Sequence, residues 1–320
     1  MLNIVKTVTQ HLPSIPIAIK VSPQEVASGS LNWKNLELAT RSLHRDGLVV
    51  LEDVIEHAKL DRLNEKMVKD AVILQSAGDA SPFNYNKGNI QQDPPLTAEY
   101  FEPSIFLNAI ATQVTSSMMG PRPRLTFVSG NTALPPTADC PPQSQPTHSD
   151  ADFDHPSCPF AFVVNVPLVE MTPDNGSTEV WLGTHVFDHN YQEGKHGDRA
   201  SGRVVESLLE QRREERPPSQ PTVKKGSLVI RDLRLWHGGK PNFSNQIRVM
   251  LASIYFAPWY RNAMHIDYSE ALKETINKYG CGLQIQAEFK PEEEIIKGYL
   301  NRPFGNAYDF NQQDRQENEP

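Results

Sequence analysis

The chain has 320 residues, of which 38% are hydrophobic and 22% charged, and its net charge is −8. This composition is typical of a globular protein, and the acidic balance argues against nucleic acid or an anionic membrane as a partner. No apolar run approaches the roughly 18 residues of a membrane span, and the start lacks the order of a signal peptide, so we expect a cytoplasmic chain.

Residues 1–121 are predicted to form a mostly helical N-terminal part. Three helices are indicated by apolar residues spaced three and four apart. They cover Trp33–Asp46, about Ala58–Ala77, and a stretch that starts at Ser104 as N-cap and ends at Gly120. The run LVVLEDV between the first two helices is typical of a buried strand. Residues 79–95 are polar, which predicts a loop.

Residues 122–260 differ from the N-terminal part, because short β-type runs alternate with clusters of Pro, Gly, Asn and Asp. The runs are LTFVSG, FAFVVNVPLV, STEVWL, GSLVIRD and IRVMLASIYF. Regular crossover helices do not separate them, which favours an antiparallel double-stranded β-helix, or cupin-like jelly roll, over a doubly wound parallel sheet. The predicted fold class is therefore mainly β with flanking helices, with a helical insert at 203–216.

The remainder of the chain is predicted to close the same domain. Two C-terminal helices are expected within residues 261–305, at SEALKETINKYG and PEEEIIKGYL. Residues 306–320 are polar enough to be disordered. Barrels of this size commonly stay undivided, so we expect a single domain over residues 1–320.

The motif QPTHSDAD places His148 and Asp150 one residue apart in an extended segment. Residues i and i+2 of a strand point to the same side, so both side chains can reach one ion. By itself, such a pair belongs more often to a surface loop than to a metal site. However, His237 follows the strand LVIRD in RLWHGGKPN. Two histidines and one carboxylate that leave coordination positions open form the facial triad suited to Fe(II).

Arg248 begins the last β-type run, in which an arginine is unexpected. It shares a face of the predicted strand with Met250, Ala252, Ile254 and Phe256. An arginine that points into an apolar interior needs an anion there, because a buried unpaired charge is very costly. A guanidinium can hold a carboxylate through two parallel hydrogen bonds. A salt bridge to a protein carboxylate is the alternative, and for an arginine considered alone it is more common.

The order of these elements resembles the phytanoyl-CoA dioxygenase (PhyH) family of Fe(II)- and 2-oxoglutarate-dependent dioxygenases. The similarity runs from about Leu43 to Phe256. It is densest in HRDGLVVLEDVI, QPTHSD, TPDNGSTEVWLGTH and LWHGGKPNFSNQIRV. Within the family, the chain is most similar in style to fungal secondary-metabolism members.

The resemblance implies a set of residues that bind iron and the co-substrate. They are His148, Asp150 and His237 for Fe(II), and Arg248, Thr178 and Gln145 for 2-oxoglutarate. With O2 as a further reactant, oxidative decarboxylation of 2-oxoglutarate would accompany oxidation of an unactivated C–H bond. Asp150 argues against halogenation, because related halogenases replace this carboxylate by a small residue.

The expected substrate is a medium-sized apolar natural product, and hydroxylation, desaturation and rearrangement are all left open as outcomes. Phe83, Tyr85 and Trp259 are candidate substrate contacts that ordinary packing explains equally well. Alternatives are an amino-acid-like or acyl-CoA substrate, a redox-neutral cupin-type metal enzyme, or a catalytically silent barrel. Charged residues facing the iron would favour the amino-acid-like substrate. Similar enzymes also suggest a homodimer.

Overall fold

The computed structural model describes residues 12–194, 201–301, 310 and 312. The helices are α1 (Pro23–Ser28), α2 (Trp33–Asp46), α3 (His57–Ser76), α4 (Pro103–Phe106), α5 (Ala109–Met119), α6 (Glu206–Glu215), α7 (Lys273–Tyr279) and α8 (Glu292–Gly298). The strands are β1 (Ala18–Lys20), β2 (Leu48–Glu52), β3 (Phe83–Asn84), β4 (Asn86–Gln91), β5 (Arg124–Ala133), β6 (Ala161–Pro167), β7 (Thr178–Val180), β8 (Gln192–Glu193), β9 (Arg203–Val204), β10 (Leu228–Asp232), β11 (His237–Gly239), β12 (Arg248–Phe256), β13 (Ile266–Ser269), β14 (Gln284–Ile285) and β15 (Ala287–Lys290).

The main sheet contains nine strands. Eight follow the order β1-β2-β10-β6-β12-β5-β4-β3, and β14 pairs with β5. The centre is antiparallel, since β6 pairs with both β10 and β12, and β12 pairs with β5 along its whole length. Every residue of β6 and β10 is buried, as expected for central strands that are covered on both faces. The five predicted β-type runs all contain strands of the structure.

Helices cover one face of the main sheet and form the larger hydrophobic core with it. Leu43 of α2, Leu63 of α3 and Val114 of α5 pack in one cluster with residues of β6 and β12. Helix α2 occupies the predicted range because both of its ends are capped. The Asn32 side chain accepts hydrogen bonds from two amides of the first turn, and Gly47 ends the helix with a φ of 73°.

On the opposite face lies a small sheet in which β7 and β11 pair antiparallel. Isolated bridges between distant segments extend it. They join His148 to His237, Met171 to Val223, and Val180 to Ser219. A second apolar cluster lies between this sheet and the main one, and it includes Val50, Val180, Val229 and Met250.

Two predictions for the N-terminal part were wrong. Residues 79–95 contain β3 and β4, because the segment pairs its backbone with the edge of β5, from Asn89↔Ala133 to Gln91↔Asn131. Polar side chains do not prevent such pairing at a sheet edge. The third predicted helix is divided into α4 and α5, and the N-cap of α5 is Asn108, whose side chain accepts from the amides of Ile110 and Ala111.

The C-terminal part contains the two expected helices, α7 and α8, together with the strands β13, β14 and β15, which were not predicted. The helical insert is α6. The predicted disordered tail, 306–320, lies outside the described residues apart from Phe310, which is buried, and Gln312. None of the described helices is both long and apolar enough to cross a membrane.

Candidate metal and co-substrate site

His148 and His237 are neighbours because their segments pair through the backbone. Each donates its amide to the carbonyl oxygen of the other, at 2.8 and 2.9 Å, and the ring centroids are 4.4 Å apart. The Nδ1 atom of His148 lies 2.9 Å from the Pro146 oxygen, and that of His237 lies 2.9 Å from the Leu235 oxygen. A ring that donates from Nδ1 keeps the lone pair of Nε2 free for a metal.

The carboxylate of Asp150 completes the group. Its Oδ1 lies 3.8 Å from Nε2 of His148, and its Oδ2 lies 3.7 Å from Nε2 of His237. One potential ligand atom from each of the three residues lies within 4.8 Å of the others. Arg231 also contacts this carboxylate, with Nη2 at 2.6 Å from Oδ2.

The protonation states suit metal binding. Burial lowers the pKa of both histidines, more strongly for His237, and the cation of Arg231 acts in the same direction on both. Burial would raise the pKa of Asp150, but the charge of Arg231, together with His237 and His148, outweighs it and holds that pKa well below its usual value. The triad therefore offers two neutral imidazoles and one carboxylate, the donor set that fits Fe(II) and leaves further positions open.

A second group of possible ligands does not resemble a metal site. His265, Asp267 and Glu288 approach one another at the surface. Lys290 lies 3.0 Å from Asp267 and 3.3 Å from Glu288, so a protein cation already pairs with both carboxylates.

The triad borders a cavity of about 110 Å³ between the two sheets. Its polar lining includes Asn84, Gln91, Ser129, Asn131, Gln145, Asn165, Thr178 and Arg231. Its apolar lining includes Leu48, Val50, Phe127, Val163, Val229, Met250, Ile254 and Phe310. Small molecules that enter this space can therefore reach all three triad residues.

Gln145 and Thr178 both line the cavity, next to β11. Oε1 of Gln145 accepts the amide of Gly239 at 2.8 Å, and Thr178 pairs with Gly239 in the small sheet. A Cβ atom at position 239 would lie 2.7 Å from Oε1 of Gln145. Glycine at this position thus allows the close approach of the Gln145 side chain.

Arg248 is 1% exposed and lies beside the cavity, although it is not one of the lining residues. Its Nη1 donates to the Asn131 oxygen at 3.1 Å and its Nη2 to the Gly176 oxygen at 2.8 Å. Within the described part of the chain, Nε has no hydrogen-bond partner and no carboxylate pairs with the guanidinium. Burial lowers the pKa of Arg248 to about 10, so the group is still a cation at neutral pH. A buried cation with two backbone partners fits an anionic ligand.

The three candidate substrate contacts occupy different places. The Tyr85 ring lies 4.5 Å from that of His148, and its hydroxyl donates to the Ser201 oxygen at 2.6 Å. Trp259 is 46% exposed. Neither these two residues nor Phe83, which is half-buried in β3, line the cavity.

Arg231 and Phe310 are among the lining residues that were not predicted from the sequence. Arg231 follows Val229 by two residues in LVIRD, so strand alternation would have placed it on the same face, by the argument that identified Arg248. Phe310 lies in the stretch that was predicted to be disordered, yet it is 3% exposed and packs on Phe127. No local signal marks Phe310, because Tyr308 and Phe310 are the only aromatic residues in 306–320 and two residues do not establish a periodicity.

Two solved structures are similar to this chain in fold. The structure of the epimerase SnoN in complex with Fe3+, alpha ketoglutarate and nogalamycin RO is 15% identical, with 70% of this chain and 84% of that chain covered and a TM-score of 0.51. Apo EctD from S. alaskensis is 16% identical, with 88% and 94% covered and a TM-score of 0.51. At these identities the likeness shows the fold.

The family is shown by the sequence match. The model of the phytanoyl-CoA dioxygenase (PhyH) family matches residues 43–250, which is more than half of the chain. The chain therefore belongs to the phytanoyl-CoA dioxygenase family and is a 2-oxoglutarate-dependent non-haem iron enzyme.

Proposed function

We propose that this enzyme oxidises an unactivated C–H bond of a small natural product, with Fe(II) held by His148, Asp150 and His237. The observation that carries the proposal is the convergence of the three ligand atoms beside a cavity between two sheets. With O2 and 2-oxoglutarate, the iron supplies the oxidising power for the C–H bond. The chain supplies the position of the reactants and the exclusion of bulk water.

In this proposal, Arg248 binds the distal carboxylate of 2-oxoglutarate. The support is its burial with no carboxylate partner among the residues that the structure describes, two residues before the lining residue Met250 on β12. Thr178 and Gln145 contact the co-substrate from the small sheet, since both line the cavity. The co-substrate would then extend from the triad toward the start of β12.

The finer fold assignment is a double-stranded β-helix. The main sheet and the small sheet of β7 and β11 lie on two sides of the cavity, and the bridges from His148, Met171 and Val180 extend the small sheet. This arrangement supports a cupin-like jelly roll that continues without a boundary between its parts, and hence a single domain. A homodimer stays a prediction from the resemblance.

Hydroxylation, desaturation and rearrangement can all follow from the same C–H oxidation. We also propose that the enzyme acts in secondary-metabolite biosynthesis. The apolar wall of Phe127, Val163 and Ile254 supports a substrate with a hydrocarbon part. The alternative is a redox-neutral metal enzyme. Such an enzyme has no use for a buried arginine beside the metal-binding cavity, which makes it the weaker candidate.

The test is the fate of 2-oxoglutarate. Purified enzyme with Fe(II), ascorbate and O2 should release succinate from 2-oxoglutarate, and His237→Ala should lose this turnover. A redox-neutral enzyme would consume no 2-oxoglutarate. Iron-loaded enzyme that forms no succinate would therefore contradict the proposal.

A further inference from the structure

Arg231 is a second buried arginine at the site, and family resemblance assigned it no role. It lies on β10 with 7% of its surface exposed, and it lines the cavity. Its Nη2 holds Oδ2 of Asp150 at 2.6 Å. Its Nη1 is buried and has no hydrogen-bond partner in the described part of the chain. Nη2 thus binds Asp150, one of the proposed metal ligands, and Nη1 can donate a hydrogen bond to a bound ligand.

The strand register separates Arg231 from Arg248. Val163 of β6 pairs with Arg231 on one side and with Ile254 on the other, so Arg231 is level with Ile254. Arg248 begins the same strand as Ile254, six residues away (254 minus 248), which is roughly 20 Å of extended backbone. Arg248 therefore lies at one end of the cavity, whereas Arg231 lies at the metal triad.

Charge within the cavity favours an additional anion. Asp150 and Arg231 carry opposite charges, and Arg248 adds one positive charge at the other end of the cavity. Fe(II) adds two positive charges and 2-oxoglutarate two negative charges, so the loaded site has a net charge of +1 (−1 + 1 + 1 + 2 − 2). Arg231 and Arg248 are both buried, and an uncompensated buried charge is costly, so a bound monoanion would remove that cost.

We infer that Arg231 is a second carboxylate-binding residue, which keeps Asp150 on Nη2 and binds a carboxylate beside the iron through Nη1. The inference rests on the proposed function and narrows its substrate class. The charge balance favours a carboxylate of the primary substrate. The other source of the same chemistry is the 1-carboxylate of 2-oxoglutarate itself. A carboxylate-bearing substrate would shift the expectation from a wholly apolar product toward the amino-acid-like class.

The experiment uses the absorption band that Fe(II) and 2-oxoglutarate form together under anaerobic conditions. Wild-type enzyme saturated with both is titrated with propionate and, separately, with propionamide, a neutral molecule of nearly the same shape. The same titrations are made on Arg231→Met, on Arg231→Lys and on Arg248→Met, which applies the matched change to the other buried arginine. Arg231→Lys keeps a cation for Asp150, so it serves if Arg231→Met folds poorly or loses iron.

If the substrate supplies the carboxylate, propionate perturbs the wild-type band and propionamide does not. Both Arg231 variants then bind propionate about tenfold more weakly or worse, the loss expected for one charge-assisted hydrogen bond. In Arg248→Met, propionate still perturbs the band, but a higher concentration of 2-oxoglutarate is needed to form it. If the 1-carboxylate is the ligand, propionate has no effect, and the Arg231 variants instead show weaker 2-oxoglutarate binding and a shifted band.

The inference would be overturned if propionate did not change the absorption band and both Arg231 variants bound 2-oxoglutarate as tightly as the wild type. Arg231 would then be only a partner of Asp150. Absence of the band in iron-loaded wild-type enzyme would overturn the proposed function together with this inference. The two failures are therefore distinguishable in one set of titrations.

Discussion

The guanidinium of Arg248 is met by a backbone oxygen: Nη2 donates to the Gly176 oxygen at 2.8 Å. Gly176 precedes β7, which carries Thr178, whereas Arg248 begins β12 of the main sheet. The hydrogen bond therefore ties the two sheets together at the end of the cavity assigned to 2-oxoglutarate. No carboxylate of the described residues compensates the charge of this arginine, so we expect Arg248 to bind the anionic co-substrate.

Arg248→Met should weaken 2-oxoglutarate binding by about 3–5 kcal/mol, because the distal carboxylate would be buried without its cation. The measurement is the dissociation constant of 2-oxoglutarate for Co(II)-loaded enzyme by calorimetry. Arg41→Met, the same change at an exposed arginine that pairs with Glu37, should leave the constant unchanged. Equal affinity in wild type and Arg248→Met would remove Arg248 from the site.

Gly176→Ala should destabilise the protein through backbone strain and through a steric clash, and Gly78→Ala separates the two effects. Gly176 has a φ of +79°, and a Cβ there would lie 2.6 Å from the Lys240 oxygen, a backbone atom. Gly78→Ala has the same left-handed backbone (φ +60°) in open space, so it should cost only about 1–2 kcal/mol of unfolding free energy. Urea unfolding should show a clearly larger loss for Gly176→Ala, and equal losses would refute the close contact.

His237→Ala should abolish binding of one equivalent of Fe(II) while the far-ultraviolet circular dichroism stays that of the wild type. Two of the three ligands remain in the variant, but they no longer form the facial set that holds the ion. The control is His265→Ala, in the surface group with Asp267 and Glu288, which should bind iron like the wild type. Stoichiometric iron in His237→Ala would show that the ligand assignment is wrong.

Metal affinity should depend weakly on pH near neutrality. Burial lowers the pKa of His148 and His237 below 6.5, and Asp150 is ionised, so few protons compete with the metal. Between pH 7.5 and 6.0 we expect the Co(II) affinity to change by less than about threefold, whereas two histidines with an ordinary pKa would lose about tenfold. Competition with a chelator whose pH dependence is known measures this, and a tenfold loss would contradict it.

The same lowered pKa values affect the stability of the metal-free protein. Unfolding exposes His148 and His237, which then take up protons below about pH 6.5 that the folded chain does not bind. The free energy of unfolding should therefore fall as the pH decreases below this value. Urea unfolding of the metal-free wild type across this pH range tests whether the free energy of unfolding falls. His237→Ala lacks one of the two histidines, so its free energy of unfolding should depend less on pH.

Elements whose ends are marked locally could be predicted from the sequence. Helix α2 has an asparagine before its first turn and Gly47 after its last, and the structure ends it there. The run FAFVVNVPLV is apolar on both faces and becomes the central strand β6. The pair His148 and Asp150 was selected by its i, i+2 spacing together with His237 and the family resemblance, because the spacing alone occurs more often in surface loops.

Features that depend on distant pairing could not be predicted in this way. The amides and carbonyls of His148 and His237 bond to each other, and no local pattern specifies that partner. The strand β4 is polar and is formed because the edge of β5 offers free backbone groups. The contact of Arg231 with Asp150 likewise joins segments that are remote in sequence.

An anaerobic titration tests whether His148, Asp150 and His237 bind iron that 2-oxoglutarate chelates. Fe(II) is added to the purified enzyme, followed by 2-oxoglutarate, while the visible absorption spectrum is recorded. We expect a weak charge-transfer band that requires both components and is lost in His237→Ala. Iron-loaded wild-type enzyme that develops no band at saturating 2-oxoglutarate would contradict it.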